Sequence, residues 1–280
     1  LQKYMIAMQE KQKQTRHIIG VSGGKDSAAL AVHMRDRIQE MEYVFCDTGK
    51  ELEETYEYID RLEVFLGKHV VRLPKELPNY SEKYDFDHFL EIFGGMLPSQ
   101  QVRWCTKNLK LGPFEAYIGS DQVINYVGIR ADEYYREGYI STKDNVTTTF
   151  PFVEDNINKE DVFQILEDAG LGFPEYYKWR SRSGCYFCFF QRKDEWVGLK
   201  ERHPDLYEKA KKYEKEKFSW RSDMSLSDLE KPEMMDEIKD SLKNRVKKEK
   251  GLRPNAPLSE ILDDLRDDEN DNKPCLICHL

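Results

Sequence analysis

The sequence predicts an α/β fold: a doubly wound, mostly parallel sheet with helices on both faces, then a helical C-terminal extension carrying a cysteine cluster. Three observations carry this reading. In the first half, short apolar runs rich in β-branched and aromatic residues alternate with stretches of helical period, the rhythm of βαβ units. A glycine-rich turn joins the first apolar run to the first helix. From about residue 174 the strand signals stop, and aromatics, arginines, a Cys-x-x-Cys pair and long charged stretches replace them. The expected division is an α/β domain over 1–178 and a helical extension over 179–280.

The expected strands are Ile18 to Val21, Tyr43 to Cys46, Val70 to Leu73 and Val123 to Val127. Ala28 to Ile38 reads as the first helix. Glu51 to Leu66 is the second, with Leu52, Tyr56, Ile59 and Leu62 at helical spacing and an acidic start that suits a helix N-terminus. Asp85 to Phe93 reads as a further helix, and Pro113 is expected to open another over Phe114 to Ile118. Ser141 to Phe150, with three threonines, reads as a strand or an ordered loop. Asn158 caps a helix from Lys159 to Ala169, stopped by Gly170. Beyond that, Lys193 to Lys217 and Ser225 to Lys250 read as long charged helices. The chain closes on an acidic patch, Asp263 to Asp271, and the tail Pro274 to Leu280. No internal repeat is visible.

Composition narrows the class. The chain has 280 residues, 39% hydrophobic and 34% charged, as a water-soluble globular protein does. No run approaches a membrane span and the first residues lack the apolar core of a secretion signal, so a cytoplasmic protein without a membrane partner is expected. A net charge of −9 argues against indiscriminate coating of nucleic acid but leaves room for a local basic groove.

The densest chemistry lies at Val21-Ser22-Gly23-Gly24-Lys25-Asp26-Ser27. Two glycines let the backbone turn its N–H groups inward on an anion. The helix that follows adds unpaired N–H groups and a positive dipole end. Lys25 supplies a point charge, and Ser22 and Ser27 supply hydroxyl donors. The ligand such a turn suits is a phosphate chain. Three further clusters stand at strand ends or helix starts, where ligands of doubly wound sheets sit. Asp47, in Phe45-Cys46-Asp47-Thr48-Gly49, is placed to touch a ribose, a base or a metal, or merely to cap its turn. Arg103, Lys107 and Lys110 are candidates for an anionic group, or a solvated helix face. Gly128 allows close approach at the end of the fourth strand, and Arg130 can clamp a phosphate with two donors.

These motifs resemble those of the PP-loop ATP pyrophosphatases, the adenine nucleotide α-hydrolases. Ser22 to Ser27 matches their Ser-Gly-Gly-Lys-Asp-Ser loop, which is shorter than a Walker A loop. Cys105 to Pro113 resembles the Cys-x-x-x-Leu-Lys-x-x-Pro segment of the phosphoadenylylsulfate reductase family, and Gly128-Ile129-Arg130 its Gly-Ile-Arg signature. The resemblance covers about residues 17–190. It implies binding of ATP with Mg²⁺, Lys25 and the loop amides holding the β- and γ-phosphates, and Lys25, Asp26 and Arg130 as catalytic residues. The nucleotide residues it implies are Ser22, Gly23, Gly24, Lys25, Asp26, Ser27, Asp47, Lys107, Lys110, Gly128 and Arg130.

Six cysteines in a reducing compartment are not expected to form structural disulfides. Cys185 and Cys188 form one Cys-x-x-Cys pair and Cys275 and Cys278 a second, spacings that suit a metal, an iron–sulfur cluster or a redox dithiol. Resemblance to iron–sulfur members of the superfamily covers Cys105, Cys185 and Cys188 and implies a [4Fe-4S] cluster, with Zn²⁺ as the alternative. Trp104 stands where a tandem cysteine would supply a second thiol, so the fourth ligand is expected from Cys275 or Cys278. Cys46 reads as a small core residue.

Two reactions follow from the resemblance. The loop keeps Lys25 and Asp26, as ATP-splitting members do, which implies pyrophosphate release by attack at the α-phosphorus and sulfur transfer from a sulfur-donor protein to an acceptor. The relatives implied are a DNA phosphorothioation ATPase and the tRNA thiolases, so a nucleic acid is a candidate acceptor. The alternative is a sulfonucleotide reductase releasing sulfite; the tail, with Cys278-His279 but without the reductases' Glu and Gly, departs from that pattern. A third reading is a non-catalytic nucleotide-binding regulator. The basic run Lys243 to Lys250 with Arg253 is either a polyanion track or a solvated helix face.

Overall fold

Five parallel strands build the sheet: β1 (Arg16–Gly20), β2 (Met41–Cys46), β3 (Val70–Leu73), β4 (Val123–Tyr126) and β5 (Val146–Thr149), in the order β3-β2-β1-β4-β5. This computed structural model describes residues 15–79, 85–133, 136, 141, 143–255 and 261. The strand order reverses at β1, whose Ile19 lies beside Tyr43 on one side and Tyr126 on the other. That reversal is the place where open α/β sheets leave a crevice at the strands' carboxyl ends.

The sheet is wound on both faces. Side chains alternate along a strand, so Ile19 faces one layer and its neighbour Ile18 the other. On the first face, α1 (Lys25–Met34), α2 (Glu53–Leu66) and α7 (Lys159–Asp168) pack Ala28, Leu30, Ile59, Leu62, Val162 and Leu166 against Ile19, Tyr43 and Phe45. On the second, Phe114 and Ile118 cover Ile18, Val44 and Leu73. Burying that much branched aliphatic surface, at about 25 cal/mol per Å² of apolar area, is what holds the layers together.

Local chemistry explains the boundaries. Asn158 accepts the Asp161 N–H while Asp161 accepts that of Asn158, a capping box that starts α7 where expected. Gly67, left-handed at φ 63°, ends α2. Helix α1 starts at Lys25, earlier than expected, because the last residues of the glycine loop are already helical. Pro113 does not open its helix. A turn of α-helix, α4 (Trp104–Thr106), runs through a π-turn (Lys107–Leu111) into α5 (Gly112–Ile118), where the Gly112 N–H reaches back to the Lys107 carbonyl. Between them lie α3 (Phe86–Ile92), before α4, and the short α6 (Pro151–Glu154), after β5.

The two long charged helices are each divided at a proline. Lys193 to Lys217 forms α8 (Lys193–Arg202) and α9 (Pro204–Tyr213), and Ser225 to Lys250 forms α10 (Leu226–Leu229) and α11 (Pro232–Leu252). Proline cannot donate to the preceding turn but suits a first helical position. These helices close a second, aromatic core in which Trp179, Phe187, Trp196, Tyr207 and Trp220 meet Leu52, Phe86 and Trp104, residues from both sides of position 178. Among the described residues no helix is long and apolar enough to cross a membrane. The tail with Cys275 and Cys278, and the acidic patch before it, lie outside the described residues.

Candidate functional site

The turn between β1 and α1 is tied into a tight cradle. Ser27 Oγ donates to the Gly24 carbonyl at 3.1 Å and accepts the Ser22 N–H at 3.1 Å, closing the loop on itself. Ser22 Oγ lies 3.1 Å from Ser27 Oγ. Gly23 has φ 74°, and a Cβ there would stand 2.6 Å from Thr55 Cγ2, so both conformation and space demand glycine. Gly24 is the N-cap of α1 and receives no side-chain cap, which leaves the helix's positive end facing the loop.

A 3₁₀ turn far along the chain (Glu175–Lys178) clasps this loop. Tyr176 donates its hydroxyl to the Gly23 carbonyl at 2.7 Å, and the Lys25 N–H donates to the Tyr177 hydroxyl at 3.1 Å. Ser183 Oγ donates to Ser22 Oγ at 3.1 Å. Lys25 is buried, with its ammonium 5.3 Å from the Tyr177 ring centroid and 3.7 Å from Asp26 Oδ2. Asp26 in turn meets Arg130 Nη1 at 2.9 Å. Arg130 also donates from Nε and Nη2 to Asp132, at 3.0 and 3.1 Å. With Glu133 Oε1 3.7 Å from Nη2, its fork is turned onto three carboxylates. Opposite charge outweighs burial and raises its pKa, which fixes the guanidinium as a cation. A Cβ on Gly128 would lie 3.1 Å from the Asp26 carbonyl, so this glycine lets the end of β4 pack closely on the backbone of α1.

Beside the cradle, at the end of β2, lies a second group. Asp47 is buried, accepting the Gly49 N–H and the Tyr56 hydroxyl at 2.8 Å each and facing Lys75 Nζ at 2.6 Å. It thus caps its turn and anchors Lys75. Thr48 donates to Glu51 Oε1 at 2.9 Å, and Cys185 Sγ lies 3.1 Å from Thr48 Oγ1 and 3.8 Å from Glu51 Oε1. Burial pushes the Glu51 carboxyl up, with the charge of Lys110 opposing it. Burial also pushes the Cys185 thiol well up, and the negative charges of Glu51 and Cys188 add to the shift. A thiol held protonated in this way is a weak nucleophile.

The structure separates the two candidate lysines. Lys107 is exposed on an outer groove with Phe89 and Arg103, whereas Lys110 is half-buried and its charge reaches Glu51 and Cys185. Among the described residues no three His, Cys, Asp or Glu side chains are arranged to hold an ion, and Cys275 and Cys278, two of the expected donors, lie outside those residues. Cys185 is engaged by Thr48 and Glu51, and Cys105 is packed against the aromatic core. Cys46 is buried, as expected, with its S–H directed at the Lys110 carbonyl.

Sequence reasoning missed Tyr176, Tyr177, Arg180 and Ser183, and placed Thr48 and Glu51 in a motif without giving them a role. Arg180 is fully buried and donates to the Gly184 and Cys185 carbonyls, fixing the Cys-x-x-Cys turn. The only signal was the crowding of Arg180, Ser181, Arg182 and Ser183 just before Cys185.

The profile of the phosphoadenosine phosphosulfate reductase domain matches residues 16–189, which include every element of this site. The chain belongs to that family. Two uncharacterized proteins of Methanocaldococcus jannaschii are each 28% identical to it, over 205 and 246 residues, covering 69% and 81% of this chain. The chain spans 40% and 55% of those relatives, about half their length. Among solved structures, phosphoadenylyl-sulfate reductase from Candida auris in a phosphate complex is similar at TM-score 0.46 and 13% identity, covering 65% of this chain and 86% of that one.

Proposed function

We propose that this member of the family binds ATP in the Ser22–Ser27 cradle and releases pyrophosphate by attack of an acceptor at the α-phosphorus, as the activating step of a sulfur transfer. The observation that most supports this is the chain Lys25–Asp26–Arg130, with Lys25 and Arg130 buried, which keeps a cation at the loop where a leaving diphosphate would sit. The cradle fits a phosphate chain. Gly24 supplies no side-chain cap to the helix end, and Thr55 Oγ1, whose methyl faces Gly23, is buried without a protein partner among the described residues.

In this reading the loop amides and Lys25 bind the β- and γ-phosphates and meet the charge that builds on the leaving oxygens. Arg130 acts as a positioning residue: it holds Asp26, which orients Lys25. Mg²⁺, when bound, would be held by Asp26 and would neutralise part of the diphosphate charge. Tyr176 and Tyr177 keep the loop in shape, and Asp47 keeps the neighbouring turn closed. The acceptor, a nucleic acid in the proposal, is adenylated on oxygen in that step; sulfide-level sulfur from a donor protein then attacks the activated atom, and AMP leaves carrying the displaced oxygen. The described thiols do not form a three-donor centre, so no step is routed through a cluster or zinc.

The test is product analysis of ATP incubated with the full chain, Mg²⁺, a thiol sulfur donor and single-stranded oligonucleotides. The proposal expects AMP and pyrophosphate in equal amounts, lost in Lys25→Ala. ADP and phosphate would contradict it. The family match favours a second reading, reduction of a sulfonucleotide; sulfite released from phosphoadenylylsulfate with thioredoxin, and no turnover of ATP, would establish that instead.

A further inference from the structure

A cavity of about 670 Å³ opens between the turn after Cys188, the start of α8, the Trp220 segment and α11. Most of its walls come after residue 189, beyond the family match. We propose that this groove takes a base of a single-stranded polynucleotide while the lysines of α11 hold its phosphates. The inference rests on the acceptor named above and assigns it a binding surface.

Two features point to a nucleotide. Phe189 and Phe190 line the cavity with ring centroids 4.4 Å apart, and Arg103 and Arg182 stand over Phe190 at 5.1 and 5.7 Å. Aromatic rings backed by guanidinium planes are surfaces on which unpaired bases stack. Gln191, 2% exposed, also lines the cavity. Its Nε2 donates to the Tyr186 carbonyl at 2.8 Å, and its Oε1 is buried with no protein partner among the described residues. An orphaned acceptor in a polar cavity is matched by the edge N–H groups of a base. The Gln191 N–H bonds the Cys188 carbonyl at 2.9 Å, so the groove wall and the cysteine turn are one unit.

The charge lies alongside. Within a chain of net charge −9, Lys243 to Arg253 carries six cations against one carboxylate, Glu249. Lys193 and Arg221 are neutralised by Asp223, Lys243 by Asp240 and Arg253 by Glu249. Lys247, Lys248 and Lys250 are exposed and make no ion pair among the described residues. Lys248 stands one turn beyond Arg245, which lines the cavity, and so continues the groove wall, while Lys247 and Lys250 lie further round the same helix. An acidic peptide would satisfy the lysines but leave the aromatic pair and Gln191 unused. A duplex would keep its bases out of the cavity.

Fluorescence anisotropy of a labelled single-stranded 20-mer with the full chain tests this. Arms carry the same strand without bases, and polyglutamate. The parent is expected to bind the intact strand. Lys247→Glu/Lys248→Glu/Lys250→Glu should weaken it tenfold or more and make the salt slope shallower by about 2, since each single-strand phosphate contact contributes roughly 0.7. Gln191→Leu should weaken the intact strand but not the abasic one. Absence of binding by the parent, unchanged binding by the triple variant, or abasic strand or polyglutamate bound as tightly as the intact strand would overturn the inference. Pyrophosphate release, read on the same preparations, separates the two proposals: strand binding without turnover supports this surface and contradicts the ATP reaction. Turnover in a protein that binds no strand does the reverse.

Discussion

Gly23 shows how much one position can decide. Its φ of 74° costs an L side chain about 1 kcal/mol or more, and a Cβ would drive into Thr55 Cγ2 at 2.6 Å. Gly23→Ala is expected to lower stability by roughly 1–3 kcal/mol and to weaken ATP binding more than tenfold, as urea melts and calorimetry would report. Cys46 offers a second residue-scale test. Burial pushes its thiol up to about 12. In the native protein at pH 8 it should resist iodoacetamide, and mass spectrometry should find it labelled only after unfolding. The loop itself was legible because its glycines, lysine and serines are constrained by short-range geometry. Tyr176 and Ser183 were not. Their roles arise from contacts such as Tyr176 to Gly23 and Ser183 to Ser22, across more than 150 residues of chain, which no local pattern records.

At the scale of elements, periodicity located the four strands and the helices α2 and α7, because their apolar faces are long and their caps are local. It failed where a proline starts a new helix without changing the charge pattern, at Pro204 and Pro232, and where the π-turn precedes Pro113. That π-turn matters to the site, since Lys107 and Lys110 do not share one environment. The N-terminal ends of the adjacent strands β1 and β2 carry a pH-sensitive tie. Arg16 on β1 meets Glu42 on β2 at 2.6 Å, and Tyr117 of α5 donates to the same carboxylate at 2.6 Å. Burial pushes the Glu42 carboxyl up, but the hydrogen bonds from Arg16 and Tyr117 outweigh it and lower its pKa. The tie therefore stabilises the fold above the unfolded-state value near 4.5 and is lost as pH falls through the lower native value. Urea melts should show Glu42→Gln less stable by about 1–2 kcal/mol at pH 7, the difference closing below pH 4.

Across the whole molecule, the cradle sits where the strand order reverses and is clasped by a segment that also carries the Cys-x-x-Cys turn. The glycine loop and the cysteine turn are thus tied to one segment through Tyr176, Arg180 and Ser183, and Tyr176 belongs to the aromatic core. The net charge of −9 hides a basic stretch at the end of α11, a reminder that composition bounds partners only on average. The central claim is that the turn from Ser22 to Ser27, with the buried ammonium of Lys25, holds the phosphates of ATP. Titration calorimetry of ATP with Mg²⁺ into the parent and into Lys25→Ala tests it most directly. Losing a charge-assisted contact of about 1.5–3 kcal/mol predicts a Kd raised roughly 10- to 150-fold. Equal affinity in the two proteins, with both folded, would contradict it.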